Sequence, residues 1–121
     1  MDSGIIKPVR WVGSSRKDLR SFPRPVRNQI GGALFAAQNG ETDPDAKPLK
    51  GFGSAGVMEI VASHVGDTWR AVYTVRLRDV VYVLHAFQKK SKSGMATPKK
   101  EIDLVRQRLA DALRDNRERQ N

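Results

Sequence analysis

The apolar run Val80–Phe87 (VVYVLHAF) is the feature of the sequence that most constrains the fold. The run is short and nearly continuous, which is typical of a strand that is covered on both faces. We therefore expect Val80–Phe87 to be a central strand of a sheet. No run approaches the roughly 18 apolar residues of a transmembrane helix, and residues 1–6 do not resemble a signal peptide, so we expect a soluble cytoplasmic protein without a membrane partner.

Three further segments have the composition of strands. Lys7–Val12 predicts a short first strand, and Val57–Val65 precedes the alternating segment Trp69–Leu77. The pair Arg78–Asp79 then predicts a tight hairpin into Val80–Phe87. The apolar side chains of the alternating segment that share one face are Trp69, Ala71, Tyr73, Val75 and Leu77.

Two helices are predicted between the first strand and the others. Ser14 or Ser15 caps the first helix, and Pro23 or Pro25 opens the second. The apolar residues that recur at helical spacing in the second helix are Val26, Ile30, Ala33, Leu34 and Ala37. The pair Gly31–Gly32 interrupts this helix, and we interpret it as a place where another backbone packs closely.

A third helix is predicted after the polar loop 88–97. Thr97 is its expected cap, and Pro98 occupies its first turn. The apolar stripe of this helix is Ile102, Val105, Leu109 and Leu113. Residues 115–121 are polar on all sides and are expected to fray, and residues 40–56 predict a connecting loop.

The order of these elements indicates a single α+β domain over residues 1–121. We expect a twisted, mainly antiparallel sheet (strand, two helices, three strands) with a C-terminal helix, and one sheet face left open to a ligand. The chain has no cysteine, which excludes a disulfide framework, a thiolate nucleophile and a cysteine-ligated metal. Neither histidine lies in a metal-ligand motif, so we expect no metal and no cofactor.

Charge gives the first indication of a partner. The chain carries 22 Lys and Arg against 13 Asp and Glu, a net charge of +9, and both ends are basic while the middle is neutral. A basic domain of this kind commonly binds a polyanion, and RNA or DNA is favoured over a membrane because no basic amphipathic helix with an aromatic face is present. The alternative is that the surface lysines and arginines only maintain solubility.

Three polar side chains interrupt the predicted strands. By alternation Arg70 points away from the apolar face and toward the side where a ligand could bind, although it could equally be a surface arginine in a cross-strand ion pair. Glu59 lies among Val, Ile and Met, so it is either paired with a strand arginine or functional. His85 lies in the central strand and is either a satisfied core histidine or a group that donates a proton or contacts RNA.

A second group of residues could contact a nucleic acid directly. Lys89, Lys90 and Lys92 cluster at the end of the central strand, where they either bind a ligand or form a solvated loop. Phe87 ends that strand beside the cluster and could stack on a base. Two further lysines extend the basic track, namely Lys47 and Lys50.

The stretch Val80–Glu101 (VVYVLHAFQKKSKSGMATPKKE) resembles the closing region of the RelE/HigB toxin superfamily, in particular its phage-derived HigB-like subgroup. The segments KPLKGFG (47–53), VMEI (57–60) and WRAVY (69–73) extend the resemblance, which covers roughly residues 7–113. It implies a RelE-like fold. Members that resemble this chain are small basic toxins of toxin–antitoxin pairs, and most of them cut mRNA in the ribosomal decoding site and are neutralised by a helix-turn-helix antitoxin of the HigA kind.

The resemblance also implies roles for individual residues. Arg70 matches the strand arginine that contacts the scissile phosphate, and Lys90 matches a cationic catalytic position. Glu59 matches the general base of those relatives that use a carboxylate. Lys89 and Lys92 are then expected to hold backbone phosphates.

Two departures from the family pattern keep other functions open. Many relatives read Glu-Leu-Arg where this chain has Glu59-Ile60-Val61, and the pair of strand lysines used by some members is absent. The first expectation is a metal-free endoribonuclease acting on mRNA and the ribosome. The alternatives are a non-enzymatic toxin that binds a topoisomerase, like the ParE branch, and an inactive RNA-binding module.

Overall fold

The structure is a computed structural model, and it describes residues 6–89 and 97–120. Its elements in chain order are β1 (Val9–Trp11), α1 (Ser15–Arg20), α2 (Arg24–Gln38), β2 (Ala46–Pro48), β3 (Val57–His64), β4 (Asp67–Thr74), β5 (Val81–Lys89) and α3 (Lys99–Arg119). In these described ranges no helix is both long and apolar enough to cross a membrane.

The strands form one sheet in the order β1-β5-β4-β3-β2. β1 runs parallel to β5, and the other neighbouring pairs are antiparallel. The mainly antiparallel α+β architecture expected from the sequence is confirmed. β5 is an interior strand that is buried almost throughout, because helices cover both of its faces, as its continuous apolar run predicts.

One sheet face packs against α1 and α2 and the other against α3. The predicted stripe of α2 is confirmed, since all five of its apolar residues are buried against the first face. On the second face, Val105 and Ala112 of α3 pack against Val72 and Leu84. The expectation that one face stays open to a ligand is therefore wrong, because the apolar stripe of α3 covers it.

The structure corrects the prediction at two connections. The loop 40–56 contains β2, an edge strand that is too short to show a sequence period and in which Ala46 lies opposite Ile60. The tight hairpin at Arg78–Asp79 is wrong, because β4 ends at Thr74 and the Val75 N–H donates to the Gly56 carbonyl oxygen at 2.8 Å. Residues 75–80 thus form a longer connection.

The last turns of α3 do not fray as expected, because side chains anchor them. The helix continues to Arg119, whose Nε donates to Asp115 Oδ2 at 2.9 Å. Asp115 also accepts a hydrogen bond from the Tyr82 hydroxyl of β5. These contacts tie the polar end of the helix to the sheet.

The close packing expected at Gly31–Gly32 is wrong. A Cβ atom added to either residue would meet nothing within 4 Å among the described residues. Both glycines lie on the outer face of α2, so neither the fold nor the backbone conformation requires them there.

Both tyrosines of the chain should resist ionisation while the protein is folded. Burial raises the pKa of Tyr73 from its usual 10.0 to about 12, with a smaller contribution from the charge of Asp43. Burial and the hydrogen bond to Asp115 likewise raise the pKa of Tyr82 to about 12. Because the folded state holds both protons more tightly, the stabilisation is complete below pH 10 and is lost as the pH rises toward 12.

In an alkaline titration, we therefore expect the phenolate absorbance to rise over the same pH range in which the helical circular dichroism is lost. A phenolate signal that appears near the ordinary tyrosine pKa while the circular dichroism is unchanged would contradict this expectation.

Candidate active site

Three strands bring polar side chains onto the sheet face that α3 covers. Glu59 of β3 lies opposite Val72 of β4, and Val72 lies opposite His85 of β5. Arg70, two residues before Val72 on the same face of β4, lies opposite Phe87 of β5. Since neighbouring strands are about 4.8 Å apart, the Cα atoms of Glu59 and His85 are separated by about 10 Å, with Arg70 on the strand between them.

A β-bulge places His85 in this group. Val72 pairs with His85 but Tyr73 pairs with Val83, so Leu84 is an extra residue on β5. Val83 packs in the core under α1 and α2, and an unbroken alternation would direct His85 to the same side. The bulge shifts the alternation by one residue, so His85 faces α3 instead.

Glu59 and Arg70 form a buried ion pair, which is one of the two arrangements that the sequence left open. Arg70 NH1 lies 3.2 Å from Glu59 Oε2, and each side chain is only 3% exposed. Thr97 joins the pair: its hydroxyl donates to Glu59 Oε2 at 2.6 Å and accepts from Arg70 NH1 at 3.3 Å. Thr97, which precedes α3, therefore contacts both members of the buried pair.

Thr97 does not cap α3, so that expectation is wrong. The capping position is occupied by Pro98, and no side chain caps the helix. The Thr97 hydroxyl is engaged by the charged pair on the sheet, and a hydrogen bond to a carboxylate is stronger than one to a neutral backbone N–H.

His85 is held between two side chains of α3. Its Nε2 atom lies 2.7 Å from Glu101 Oε1, and its Nδ1 atom lies 3.4 Å from Arg108 NH1. The imidazole ring also stacks on Phe87, with ring centroids 4.8 Å apart. His85 is buried, so it is a satisfied histidine rather than an exposed one.

Two clefts flank the beginning of α3. The Lys47 cleft, about 290 Å³ in volume, is lined by Lys47, Pro48, Leu49, Lys50, Glu59, Thr97 and Ile102. The His85 groove, about 560 Å³, is lined chiefly by Trp69, His85, Phe87, Lys100 and Glu101, and also by Asp18 of α1 and by Ser21, which follows that helix. Glu59 thus lines the first cleft, and His85 and Glu101 line the second.

The other site residues expected from the sequence fall into three sets. Lys47 and Lys50 are exposed at the cleft that reaches Glu59, where they could hold a polyanion. Phe87 and Lys89 are buried, at 8% and 7% exposure, so Phe87 has little free surface for a base and Lys89 is not part of a solvated loop. Lys90 and Lys92 lie outside the described residues.

Thr97, Glu101 and Arg108 were missed as members of the site. Glu101 and Arg108 are seven residues apart, which places them on the same side of a helix two turns apart. They border the apolar stripe that begins at Ile102 and so lie at the edge of the packed face. Opposite charges that border the buried stripe of a helix are the one signal that could have identified them.

The comparisons with known proteins agree with this architecture. A family model described as phage-derived protein Gp49-like (DUF891) matches residues 17–110. A structure of a mutant of the E. coli toxin RelE in the free state is similar with a TM-score of 0.52 and 19% identity, over 68% of this chain and 82% of that chain. The toxin–antitoxin complex RelBE2 from Mycobacterium tuberculosis gives a TM-score of 0.44 and 20% identity, over 77% of this chain and 100% of that chain. No curated protein matches the chain at a significant level.

The family model covers most of the chain, and the likeness to RelE covers about two thirds of it. Both agree with the family and the fold that the motifs of the sequence indicated. The chain belongs to the phage-derived Gp49-like protein family, and it has the fold of the toxin RelE.

Proposed function

We propose that the chain is the toxin of a type II toxin–antitoxin pair and that it is an endoribonuclease that cleaves mRNA on the translating ribosome in the cytoplasm. The family, the RelE fold and the net charge of +9 support this proposal. A helix-turn-helix antitoxin of the HigA kind is the proposed partner, because an acidic protein surface would neutralise the basic one.

The observation that carries the proposal is the buried Glu59–Arg70 pair under Thr97, beside a cleft lined by exposed lysines. Arg70 NH1 donates to the Thr97 hydroxyl, and a phosphate oxygen that replaces this hydroxyl would accept the same hydrogen bond. A guanidinium is suited to a phosphoryl group because it is planar and permanently charged. Lys47 and Lys50 would hold the neighbouring phosphates.

The reaction needs no metal in this proposal. The 2′-hydroxyl of the ribose loses its proton, the bond between the 2′ oxygen and phosphorus forms, and the bond between phosphorus and the 5′ oxygen breaks. The leaving 5′ oxygen takes up a proton, and the products are a 2′,3′-cyclic phosphate and a 5′-hydroxyl. The candidates for proton transfer are Glu59 and His85, the latter together with the carboxylate that it contacts, and Arg70 with Lys90 stabilises the charge on the phosphate.

Primer extension on mRNA in a translating extract tests the proposal. We expect the purified protein to produce discrete new ends inside the open reading frame, and the extract without the protein to produce none. Growth arrest without new ends would contradict the nuclease and favour the topoisomerase-binding alternative. If neither effect occurs and RNA is bound intact, the chain is an RNA-binding module.

RNA binding should depend on salt through the lysines of the Lys47 cleft. For single-stranded RNA, the slope of log K against log salt falls by about 0.7 for each phosphate contact that is lost. We therefore expect Lys47→Ala/Lys50→Ala to reduce this slope by about 1.4, measured by fluorescence anisotropy over a salt series.

Lys17→Ala/Arg20→Ala is the matched control, because it removes the same charge from α1 on the opposite face of the sheet. Equal slopes for the two double variants would show that RNA does not bind at the Lys47 cleft.

A further inference from the structure

Both ring nitrogens of His85 are engaged by side chains of α3. A carboxylate only accepts hydrogen bonds, so the 2.7 Å contact with Glu101 places a proton on Nε2. A guanidinium only donates, so Nδ1 is the acceptor in the 3.4 Å contact with Arg108. These two contacts correspond to the Nε2–H tautomer, and both ring nitrogens have partners within the protein.

Arg108 is fixed in place by contacts outside α3. Its NH1 donates to the Leu84 carbonyl oxygen of the bulge at 3.0 Å, and its NH2 donates to Ser14 Oγ at 3.1 Å. The guanidinium also lies against Gly13, where an added Cβ atom would be 2.8 Å from Arg108 Cζ. Gly13 has φ +57°, so a side chain there would be strained as well as crowded.

Glu101 is the more exposed of the two members of this network that line the groove. Its side chain is 17% exposed, compared with 7% for His85, and it lines the His85 groove beside Lys100. Oε1 accepts the hydrogen bond from His85, and none of the described residues bonds to Oε2. A carboxylate oriented by one hydrogen bond with its second oxygen toward a groove is arranged to accept a proton from a bound hydroxyl.

We propose that Glu101 is the carboxylate that takes the 2′-hydroxyl proton of the RNA, and that His85 and Arg108 are positioning residues that orient it. This assignment rests on the proposed nuclease function. The proton moves to Glu101 Oε2 while the 2′ oxygen bonds to phosphorus, and the leaving 5′ oxygen takes a proton from a water molecule. The resulting hydroxide recovers the proton from Glu101, which restores both water and carboxylate.

In this assignment Glu59 has a different task from Glu101. Its Oε2 accepts hydrogen bonds from both Arg70 and Thr97, so it holds the arginine beside the phosphate. The proton transfer expected of His85 passes instead to the carboxylate that His85 orients.

Glu101→Gln tests the proposed base. The amide oxygen still accepts from His85 Nε2–H, so the ring keeps its place, but the amide does not take up a proton. We expect the single-turnover rate of RNA cleavage to fall by about 10²–10⁴-fold with unchanged RNA affinity. Asp103→Asn is the control, because it neutralises an exposed carboxylate on the same helix.

Cleavage by Glu101→Gln at the rate of the wild type would overturn the assignment while leaving the nuclease proposal intact. A wild-type protein that cleaves no RNA would overturn the nuclease proposal, and the assignment with it. A measurement of RNA cleavage by the wild-type protein therefore distinguishes the two failures.

The positioning residues are tested by a readout that does not depend on cleavage. Nitrogen NMR shifts of the His85 ring should show the Nε2–H tautomer in the wild type and a mixture of tautomers in Arg108→Ala. Arg108→Lys still donates to Nδ1 and should recover part of the wild-type spectrum and rate, whereas Arg114→Ala should change neither. A wild-type ring that carries its proton on Nδ1 would overturn the proposed orientation.

Discussion

Removing the charges of Glu59 and Arg70 together should abolish RNA cleavage and leave the fold intact. Arg70→Ala alone is a poor test, because it leaves the buried carboxylate without its cation, and breaking one partner of a buried pair costs about 3–5 kcal/mol of unfolding free energy. Replacing both partners by neutral groups of similar volume is often close to neutral. The informative variant is therefore Glu59→Gln/Arg70→Met.

In this double variant the introduced glutamine still accepts the hydrogen bond from Thr97, and the introduced methionine fills the volume of the arginine stem. We expect the cleavage rate to fall about 10³-fold or more, since an arginine at the phosphate stabilises the charge of the transition state. Urea unfolding, measured by circular dichroism, checks that the fold survives.

The control is Asp111→Asn/Arg114→Gln, which removes an exposed ion pair at the other end of α3. Exposed pairs contribute little, so this variant should match the wild type in both stability and rate. If the double variant at Glu59 and Arg70 folds and cleaves as fast as the wild type, the buried pair is structural.

Ile30→Ala should cause a large loss of stability among single substitutions in α2. Ile30 has no exposed surface and packs between α2 and the sheet, so its truncation leaves a cavity. We expect the free energy of unfolding to fall by about 2–5 kcal/mol, with a lower urea midpoint and an unchanged slope.

Phe35→Ala is the matched control on the same helix, because Phe35 is 55% exposed. It removes a larger side chain from the outer face and should change the stability by about 0.5 kcal/mol or less. Equal losses for the two variants would show that the outer face of α2 is also packed.

Features that depend on local sequence were predicted correctly. The stripe of α2 follows from the helical period of its apolar residues, and the interior position of β5 follows from its continuous apolar run. Arg70 was correctly placed on the face opposite Trp69 and Ala71 because β4 alternates without interruption, although that face was expected to be open and is covered by α3.

Features that depend on tertiary contacts were not predictable in the same way. The sequence before α3 satisfies the local rules for a cap at Thr97, but a charged pair on distant strands competes for the same hydroxyl. Glu101 and Arg108 become site residues only because α3 docks with its first turns over β5. No period in the sequence of a helix specifies the strand on which it docks.

The extra residue at Leu84 determines which changes in length β5 can accept. Before the bulge the odd-numbered positions face α1 and α2, and after it the even-numbered positions do. Deletion of Leu84 would remove the bulge and make the pairing regular, with Val83 still facing α1 and α2 and His85 still facing α3. During divergence β5 can therefore lose this residue and keep its side chains in their layers, whereas β4, which pairs with β3 without a shift from Asp67 to Thr74, has no extra residue to lose.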